Sequence, residues 1–361
     1  MTGGASIAAR PGGPTGSIII GTSSSARGEH KAGSDIHLRQ VVKRYADERT
    51  PAVDNVSLEI GPGEFVVLLG SSGSGKTTLL KMVNRLIEPT SGTITIDGAE
   101  VHSLPAAQLR RSIGYVIQQA GLFPHMRVRN NIAVVPNLLK WDKERIARRV
   151  NELLELVGLP PETYARRYPA QLSGGEQQRV GLARALAVQP ATMLMDEPFG
   201  ALDAITRSRL QGELKRIHRA LEHTILFVTH DVDEALRLAD RIVVMGEGKI
   251  VQVGTPLEIM TRPANDFVSR LIGADDAVRR MSLIPVSAAY DHDVVEPDPL
   301  IAISVEASLK DALNVLVANG VDRIAVRTPD NEVIGDLTLA ALRAAASGET
   351  LTAATPAVAA E

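Results

Sequence analysis

Residues 70–78 read "GSSGSGKTT": three glycines and three serines, then one lysine and two threonines. Ahead of them "FVVLL" (65–69) is an unbroken apolar run, the pattern of a strand covered on both faces. Behind them "KTTLLKMVNRL" (76–86) places Leu79, Leu80, Val83 and Leu86 at helical spacing. The loop is therefore expected to join a buried strand to the start of a helix.

In that context Gly70, Gly75, Lys76 and Thr77 match the pattern G-x-x-x-x-G-K-[ST], with Ser71, Ser72, Gly73 and Ser74 between and Thr78 after. Glycines let the backbone curl its N–H groups around an anion, and the helix N-terminus adds positive potential. Lys76 is placed to reach the β- and γ-phosphates of a nucleotide, and the Thr77 hydroxyl to ligate Mg2+. An acidic partner is needed at the end of a neighbouring buried strand, and "ATMLMDEPFGALD" (191–203) supplies one. Asp196 follows the apolar Met193, Leu194 and Met195 and can hold Mg2+ through water; Glu197 can polarise an attacking water.

The chain around these motifs has 361 residues, 44% hydrophobic and 22% charged, with a net charge of −3. That length suits one large and one smaller domain, and the charge offers no general attraction to nucleic acid. With no cysteine, disulfides and thiolate metal sites are excluded. No apolar run approaches the roughly 18 residues of a membrane span, and "SIII" (17–20) is too short for a signal-peptide core, so a cytosolic location is expected. Residues 1–34, rich in Gly, Ser and Ala, are expected to form a disordered tail.

Between the two motifs lies "QLSGGEQQRVGLARALAV" (171–188), a Ser-Gly-Gly turn opening a helix. A serine hydroxyl and exposed N–H groups at a helix start make a second anion site. "LSGGEQQRV" resembles the signature of ATP-binding-cassette (ABC) ATPases, and residues 36–275 are similar to that domain throughout. The resemblance implies an α/β P-loop fold with a mixed-sheet core, an antiparallel β subdomain and a helical subdomain over 35–276. It also implies a head-to-tail homodimer, each ATP held between the phosphate loop of one subunit and Ser173, Gly174, Gly175, Glu176 and Gln177 of the other.

Further roles follow from the same resemblance. Tyr45, ahead of "PAVDNVSLEI" (51–60), is similar to the aromatic that stacks on adenine. Gln118, in "GYVIQQAGLFPHM" (114–126) and next to Gln119, resembles the glutamine that contacts magnesium and water. Asp203 resembles the aspartate that crosses the dimer interface, and His230, after "TILFVT", the histidine that contacts the γ-phosphate and orients Glu197. Lys76, Gln118, Glu197 and His230 are thus the candidate catalytic set, and Thr77, Gln118 and Asp196 the candidate Mg2+ ligands. His218 and His223 lie outside any motif and are expected at the surface.

Residues 122–172 include Ile146, Val150, Leu153, Leu154 and Val157 on one helical face, which core packing explains. In the resembled family this insert receives a membrane permease, and Leu122, Phe123, Pro124 and Met126 are the candidate docking residues. "IGYVIQQAGLFPHMRV" (113–128), "VTHDVDEALRLADRIVVM" (228–245) and "GTPLEIMTRPANDFVSRLIGADDAVRRMSLIPV" (254–286) resemble subunits serving osmoprotectants such as glycine betaine, choline, carnitine or proline. That reading implies a peripheral protein on the cytoplasmic membrane face, working through permease subunits with an extracytoplasmic substrate-binding protein, and touching neither nucleic acid nor the solute. The alternatives are the ATPase of another importer, for amino acids, polyamines or a similar solute, and a non-transport ABC ATPase. A switch that binds ATP without turnover is disfavoured by the presence of both Glu197 and His230.

After a connector read over 277–299, residues 300–347 give strand, helix, two strands around "PDNE" and a final helix, resembling one cystathionine-β-synthase-type (CBS) repeat. The position where that pattern carries a ribose-binding aspartate is Ala341, so adenosine binding is not expected there. The tail, 348–361, lacks the charge cluster of an ionic-strength sensor, and the repeat is read as dimerising or vestigial.

Overall fold

The computed structural model describes residues 33–46, 49–118, 121–292 and 301–347. Most of the expected N-terminal tail, the whole C-terminal one, Gln119, the acidic end of the connector (293–299) and the first residue of the expected repeat, Leu300, lie outside them. Gly33 and Ser34, the last residues assigned to the tail, are pinned to the body. The Gly33 N–H donates to the Glu222 carbonyl (3.0 Å) and Thr224 Oγ1 to the Ser34 carbonyl (2.6 Å).

In chain order, β1 (Ile36–Lys43) and β2 (Val53–Ile60) form an antiparallel pair and β3 (Phe65–Leu69) leads through the glycine loop into α1 (Lys76–Val83). Then come β4 (Ser91–Ile96), β5 (Ala99–Glu100), α2 (Ala106–Ser112) and β6 (Ile113–Val116). The helical insert holds α3 (Val128–Ile132), α4 (Val134–Leu138), α5 (Lys143–Leu156) and α6 (Pro161–Tyr164), and α7 (Gly174–Ala185) returns to the core. Next are β7 (Thr192–Asp196), α8 (Ala204–Leu221), β8 (Thr224–Thr229), α9 (Val232–Leu238), β9 (Arg241–Gly246) and β10 (Lys249–Gly254). Three short helices follow, α10 (Pro256–Thr261), α11 (Asp266–Ile272) and α12 (Ala277–Met281). The C-terminal unit has β11 (Ala302–Ser304), α13 (Leu309–Asn319), β12 (Arg323–Arg327), β13 (Val333–Thr338) and α14 (Leu339–Ser347).

The central sheet has the order β10-β9-β3-β8-β7-β6, parallel except for the β9–β10 hairpin. All five residues of β3 are buried, and successive side chains enter different cores because a strand alternates faces. Phe65, Val67 and Leu69 join the core shared with α5 and α7, whereas Val66 and Leu68 meet α1 and the antiparallel sheet β2-β1-β4-β5. A strand buried on both sides cannot alternate with polar residues, which is why "FVVLL" reads as a continuous run.

In the insert, α5 starts at Asp142, whose carboxylate accepts from the Arg145 N–H (2.8 Å), a cap worth about 1 kcal/mol. Its buried face is Ile146, Val150, Leu153 and Leu154; truncating Leu154 to alanine would cost about 2–5 kcal/mol.

Three details depart from the sequence expectations. Helix α1 ends at Val83, so Leu86 falls past its end and stands exposed. His218 and His223 are buried, not superficial: His218 Nδ1 meets the His223 carbonyl at 3.0 Å, Nε2 lies 3.4 Å from Asp240 Oδ2, and the ring packs edge-on against Phe65. The connector over 277–299 begins as helix α12, and Met281, Ile284 and Val286 enter the C-terminal core beside Leu309, Leu316, Ile324 and Leu337. Apolar residues every two to three positions in "MSLIPV" have a core within reach, so that stretch is packed.

Candidate active site

Four loops leave the carboxyl ends of adjacent parallel strands. Gly70 follows β3, His230 follows β8, Glu197 follows β7, and Gln118 comes two residues after β6. The sheet order thus gathers residues far apart in the chain at one edge, the usual crevice of an α/β sheet. A cleft of about 1320 Å³ opens there, lined by Tyr45, Ser72, Gly73, Ser74, Gly75, Lys76, Thr77, Thr78, Gln118, Glu197 and the β9–β10 turn.

The phosphate loop depends on glycine at defined points. Gly73 and Gly75 have φ of 81° and 97°, in the left-handed region, and a Cβ on Gly75 would overlap the Ala52 carbonyl oxygen. One on Gly70 would overlap the Met245 carbonyl oxygen. The loop curls around Lys76, whose Nζ donates to the carbonyls of Gly70 (2.8 Å) and Ser71 (2.7 Å) and to Ser74 Oγ (3.2 Å). Burial pulls the Lys76 pKa below the ordinary lysine range, while the Glu197 and Asp196 carboxylates push it back up. No acidic residue sits in the first turn of α1, so its N-terminal potential remains free to favour an anion.

Facing the lysine are the two carboxylates that end β7. Thr77 Oγ1 donates to Asp196 Oδ1 at 2.8 Å. Burial raises the Asp196 pKa, the Thr77 hydrogen bond offsets part of that, and Glu197 adds to the rise. Glu197 is held at both oxygens: His230 Nδ1 donates to Oε1 and Gln118 Nε2 to Oε2, each at 3.0 Å. Its backbone sits at φ 45°, a left-handed conformation costing about 1–2 kcal/mol, and its N–H donates to the Val228 carbonyl (3.0 Å). The fold thus carries strain to present this carboxylate.

A hydroxyl, a buried carboxylate and an amide form a hard-oxygen donor set that fits Mg2+. Among the described residues no group of three or more His, Cys, Asp or Glu could hold a metal, so an ion at Thr77 and Asp196 would complete its shell with phosphate oxygens and water.

The second anion motif is formed as a helix cap, outside that cleft. Ser173 caps α7: its Oγ accepts from the Glu176 N–H (3.3 Å), and Glu176 Oε2 accepts from the Ser173 N–H (2.7 Å). The Tyr164 hydroxyl donates to Glu176 Oε1 (2.7 Å) and, with the Ser173 bonds, holds the Glu176 carboxyl below its ordinary range. Gln177 Nε2 donates to the Pro169 and Leu172 carbonyls (3.1 and 3.2 Å), while Gly174 and Gly175 form the first turn. Asp203 caps α8 by accepting from the Thr206 N–H (2.9 Å). None of Ser173 to Gln177, nor Asp203, lines the cleft of its own chain.

Residues 53–200 match the family model described as ABC transporter. The glycine betaine/carnitine/choline transport ATP-binding protein OpuCA of Bacillus subtilis (strain 168) is 48% identical over 83% of this chain and 77% of its own length. The chain belongs to the ABC transporter ATP-binding proteins. This ABC ATPase is also 51% identical to the glycine betaine uptake system ATP-binding protein YehX of Escherichia coli (strain K12), over 79% of the chain and 92% of the relative. A solved dimeric ATP-binding cassette in a post-hydrolysis state with ADP and Pi is 35% identical, with TM-score 0.57, covering 61% of this chain and 98% of that one. Relatives named for import of other solutes match over 66% of this chain. Binding and hydrolysis of ATP are the chemistry of the family.

Sequence reading missed several residues of this ABC ATPase site. Gln178, one step beyond the glutamine singled out, is buried and joins α7 to the loop that carries Glu197. Its Nε2 donates to the Glu197 carbonyl and its Oε1 accepts from the Ala201 N–H, both at 3.0 Å. Asn265 and Phe267 at the start of α11 line the cleft beside Gly246 to Val251, yet "NDF" carries no phosphate chemistry that would mark it. Asn131, fully buried, holds the 122–127 loop by bonding the Phe123 N–H and the carbonyls of Phe123 and Met126.

Proposed function

We propose that this chain is the ATP-hydrolysing subunit of an importer for osmoprotectants of the glycine betaine, choline, carnitine or proline type. The observation that carries the reading is the extent of likeness. Relatives named for glycine betaine, carnitine and choline match over 79–83% of the chain, past the ATPase body, whereas those named for sulfate or spermidine stop at 66%. The solute itself would be selected by the membrane and extracytoplasmic partners.

In this mechanism Tyr45, 38% exposed at the cleft mouth, stacks on the adenine, and the curled N–H groups with Lys76 bind the β- and γ-phosphates. Thr77, Asp196 and Gln118 hold Mg2+, which supplies charge neutralisation at the phosphates when bound. Glu197 accepts the proton of the water that attacks the γ-phosphorus, with its carboxylate aimed by His230 and Gln118. His230 keeps its other ring nitrogen for the γ-phosphate.

Ser173 to Gln177 serve the cleft of a second copy and Asp203 the interface between copies, which explains why none of them lines the cleft of its own chain. Two opposed copies would then close over two ATP molecules, and hydrolysis, by changing the ligand charge, would loosen them. Phe123, exposed on a loop pinned by Asn131, offers with Leu122, Pro124 and Met126 the surface for the permease. In the CBS-like unit, the Thr338 hydroxyl accepts from the Ala341 N–H (3.1 Å) and no carboxylate stands at 341, which supports a dimerising or vestigial role over adenosine binding.

Reconstitution with the membrane and substrate-binding partners in liposomes tests this. Glycine betaine or another quaternary amine should stimulate phosphate release; stimulation confined to amino acids other than proline, to polyamines or to oxyanions would reject the assignment.

A further inference from the structure

Two neighbouring arginines on α12 fork in opposite directions. Arg280 donates to the Ala346 carbonyl near the end of α14 (2.9 Å) and to the Ala274 carbonyl (2.7 Å). Arg279 donates from Nη1 to the Ile272 carbonyl at the end of α11 (2.9 Å) and from Nε to Asp233 Oδ1 in the first turn of α9 (2.8 Å). A planar guanidinium making both bonds fixes the relation between those two helix ends.

Helix α9 starts immediately after His230. Its cap, Asp231, accepts from the Asp233 and Glu234 N–H groups (2.9 and 3.1 Å), and its own N–H donates to Thr229 Oγ1 (3.0 Å). Thr229 Oγ1 donates in turn to the buried Glu234 carboxylate (2.8 Å). The His230 side chain is 65% exposed, so little packing surrounds it and the seat of this turn sets where the imidazole points.

We propose that Arg279 is a positioning residue for His230: by holding Asp233 it seats the first turn of α9, and through Arg280 the same helix is tied to the C-terminal unit. The proposal rests on the reading of His230 as the residue that orients Glu197. Asp233 is 73% exposed, so the ion pair adds little to global stability. A small displacement of His230, however, removes a geometry on which the rate depends. Loss of the pair therefore lowers turnover more than it lowers Tm.

The test uses the full chain and separates two routes from Arg279, one through Asp233 to His230 and one through α11 to the cleft wall at Asn265 and Phe267. Asp233→Ala cuts only the first. It should lower kcat about two- to fivefold, with KM for ATP and Tm unchanged, and Asp233→Glu should recover most of the loss. In a His230→Ala background, assayed for residual phosphate release at high protein concentration, Asp233→Ala should have no further effect on kcat. Unchanged kcat for Asp233→Ala, a changed KM alone, or the same fractional loss with and without His230 would overturn the link while leaving the role of His230 intact. Wild-type turnover by His230→Ala would overturn the underlying reading, and the proposal with it.

Discussion

His230 Nδ1 donates to Glu197 Oε1 at 3.0 Å, across the gap between the ends of β8 and β7. With Gln118 on the other oxygen, the carboxylate is oriented without a ligand, which in its proposed role as base would lower the reorganisation needed when it takes a proton. Glu197→Gln keeps the shape and removes the proposed base. Its kcat should fall on the order of 10²- to 10⁴-fold while ATP affinity, read by equilibrium binding, stays near wild type. A variant that turned over ATP at the wild-type rate would remove Glu197 from this role.

Gly75→Ala should abolish ATP binding with little loss of fold. The left-handed φ of 97° and the Ala52 carbonyl facing that position leave no room for a methyl group, so the loop must shift away from the geometry that aims its N–H groups. Isothermal titration with ATP and a thermal melt, run side by side, check both halves of the statement.

In its proposed role as a Mg2+ ligand, Asp196 would trade stability for ligand affinity. Its pKa is raised in the fold above the ordinary aspartate value of 3.8, burial being the main cause. The folded state therefore binds more protons than the unfolded one just above that value. Stability is lost as pH rises from there through the folded pKa, and the penalty persists at neutral pH. Asp196→Asn should raise Tm of the nucleotide-free protein at pH 7 by on the order of 2 °C, with no gain near pH 3, while removing Mg2+-dependent hydrolysis. A Tm lower than wild type at pH 7 would contradict the sign.

Tyr115 carries a buried hydroxyl with no hydrogen-bond partner, and burial, then Asp196, push its pKa up to about 12 from 10.0. Between those two pH values the unfolded chain ionises and the folded one does not, so stability falls as pH rises. Tyr115→Phe should be neutral or stabilising at pH 7, because an unsatisfied buried hydroxyl costs free energy, and its Tm should fall less steeply above pH 10. Parallel slopes for the two proteins would refute this.

Chemistry that is local in sequence was legible there. The glycine loop, the apolar run ahead of it and the acid pair after "MLM" announce a strand, a turn and a strand end before any coordinates, because each conformation demands its residue types. The α5 face was legible for a similar reason, since Ile146, Val150, Leu153 and Leu154 recur at the helical period. Partners set by tertiary geometry were not. Gln178 reaches the Glu197 carbonyl only because α7 packs against β6, the strand beside β7, and no period in the sequence encodes that approach. His218 and His223 read as surface residues since nothing local shows that Asp240 and Phe65 wait beside the helix end. Likewise "MSLIPV" read as a connector because its core partners, Leu309 and Leu337 among them, come later in the chain.

The central claim is that each working pocket is built from two copies, one giving the Lys76 loop and the other the Ser173 cap. Mixing a Lys76→Ala protein with a Ser173→Arg protein, each inactive alone, measures it most directly through phosphate release. Mixed dimers contain one pocket in which both parts are intact, so activity should return as the two are combined and peak near equal amounts. Activity that stays at the level of the separate proteins at every ratio, with heterodimers shown to form by tag pull-down, would contradict the account.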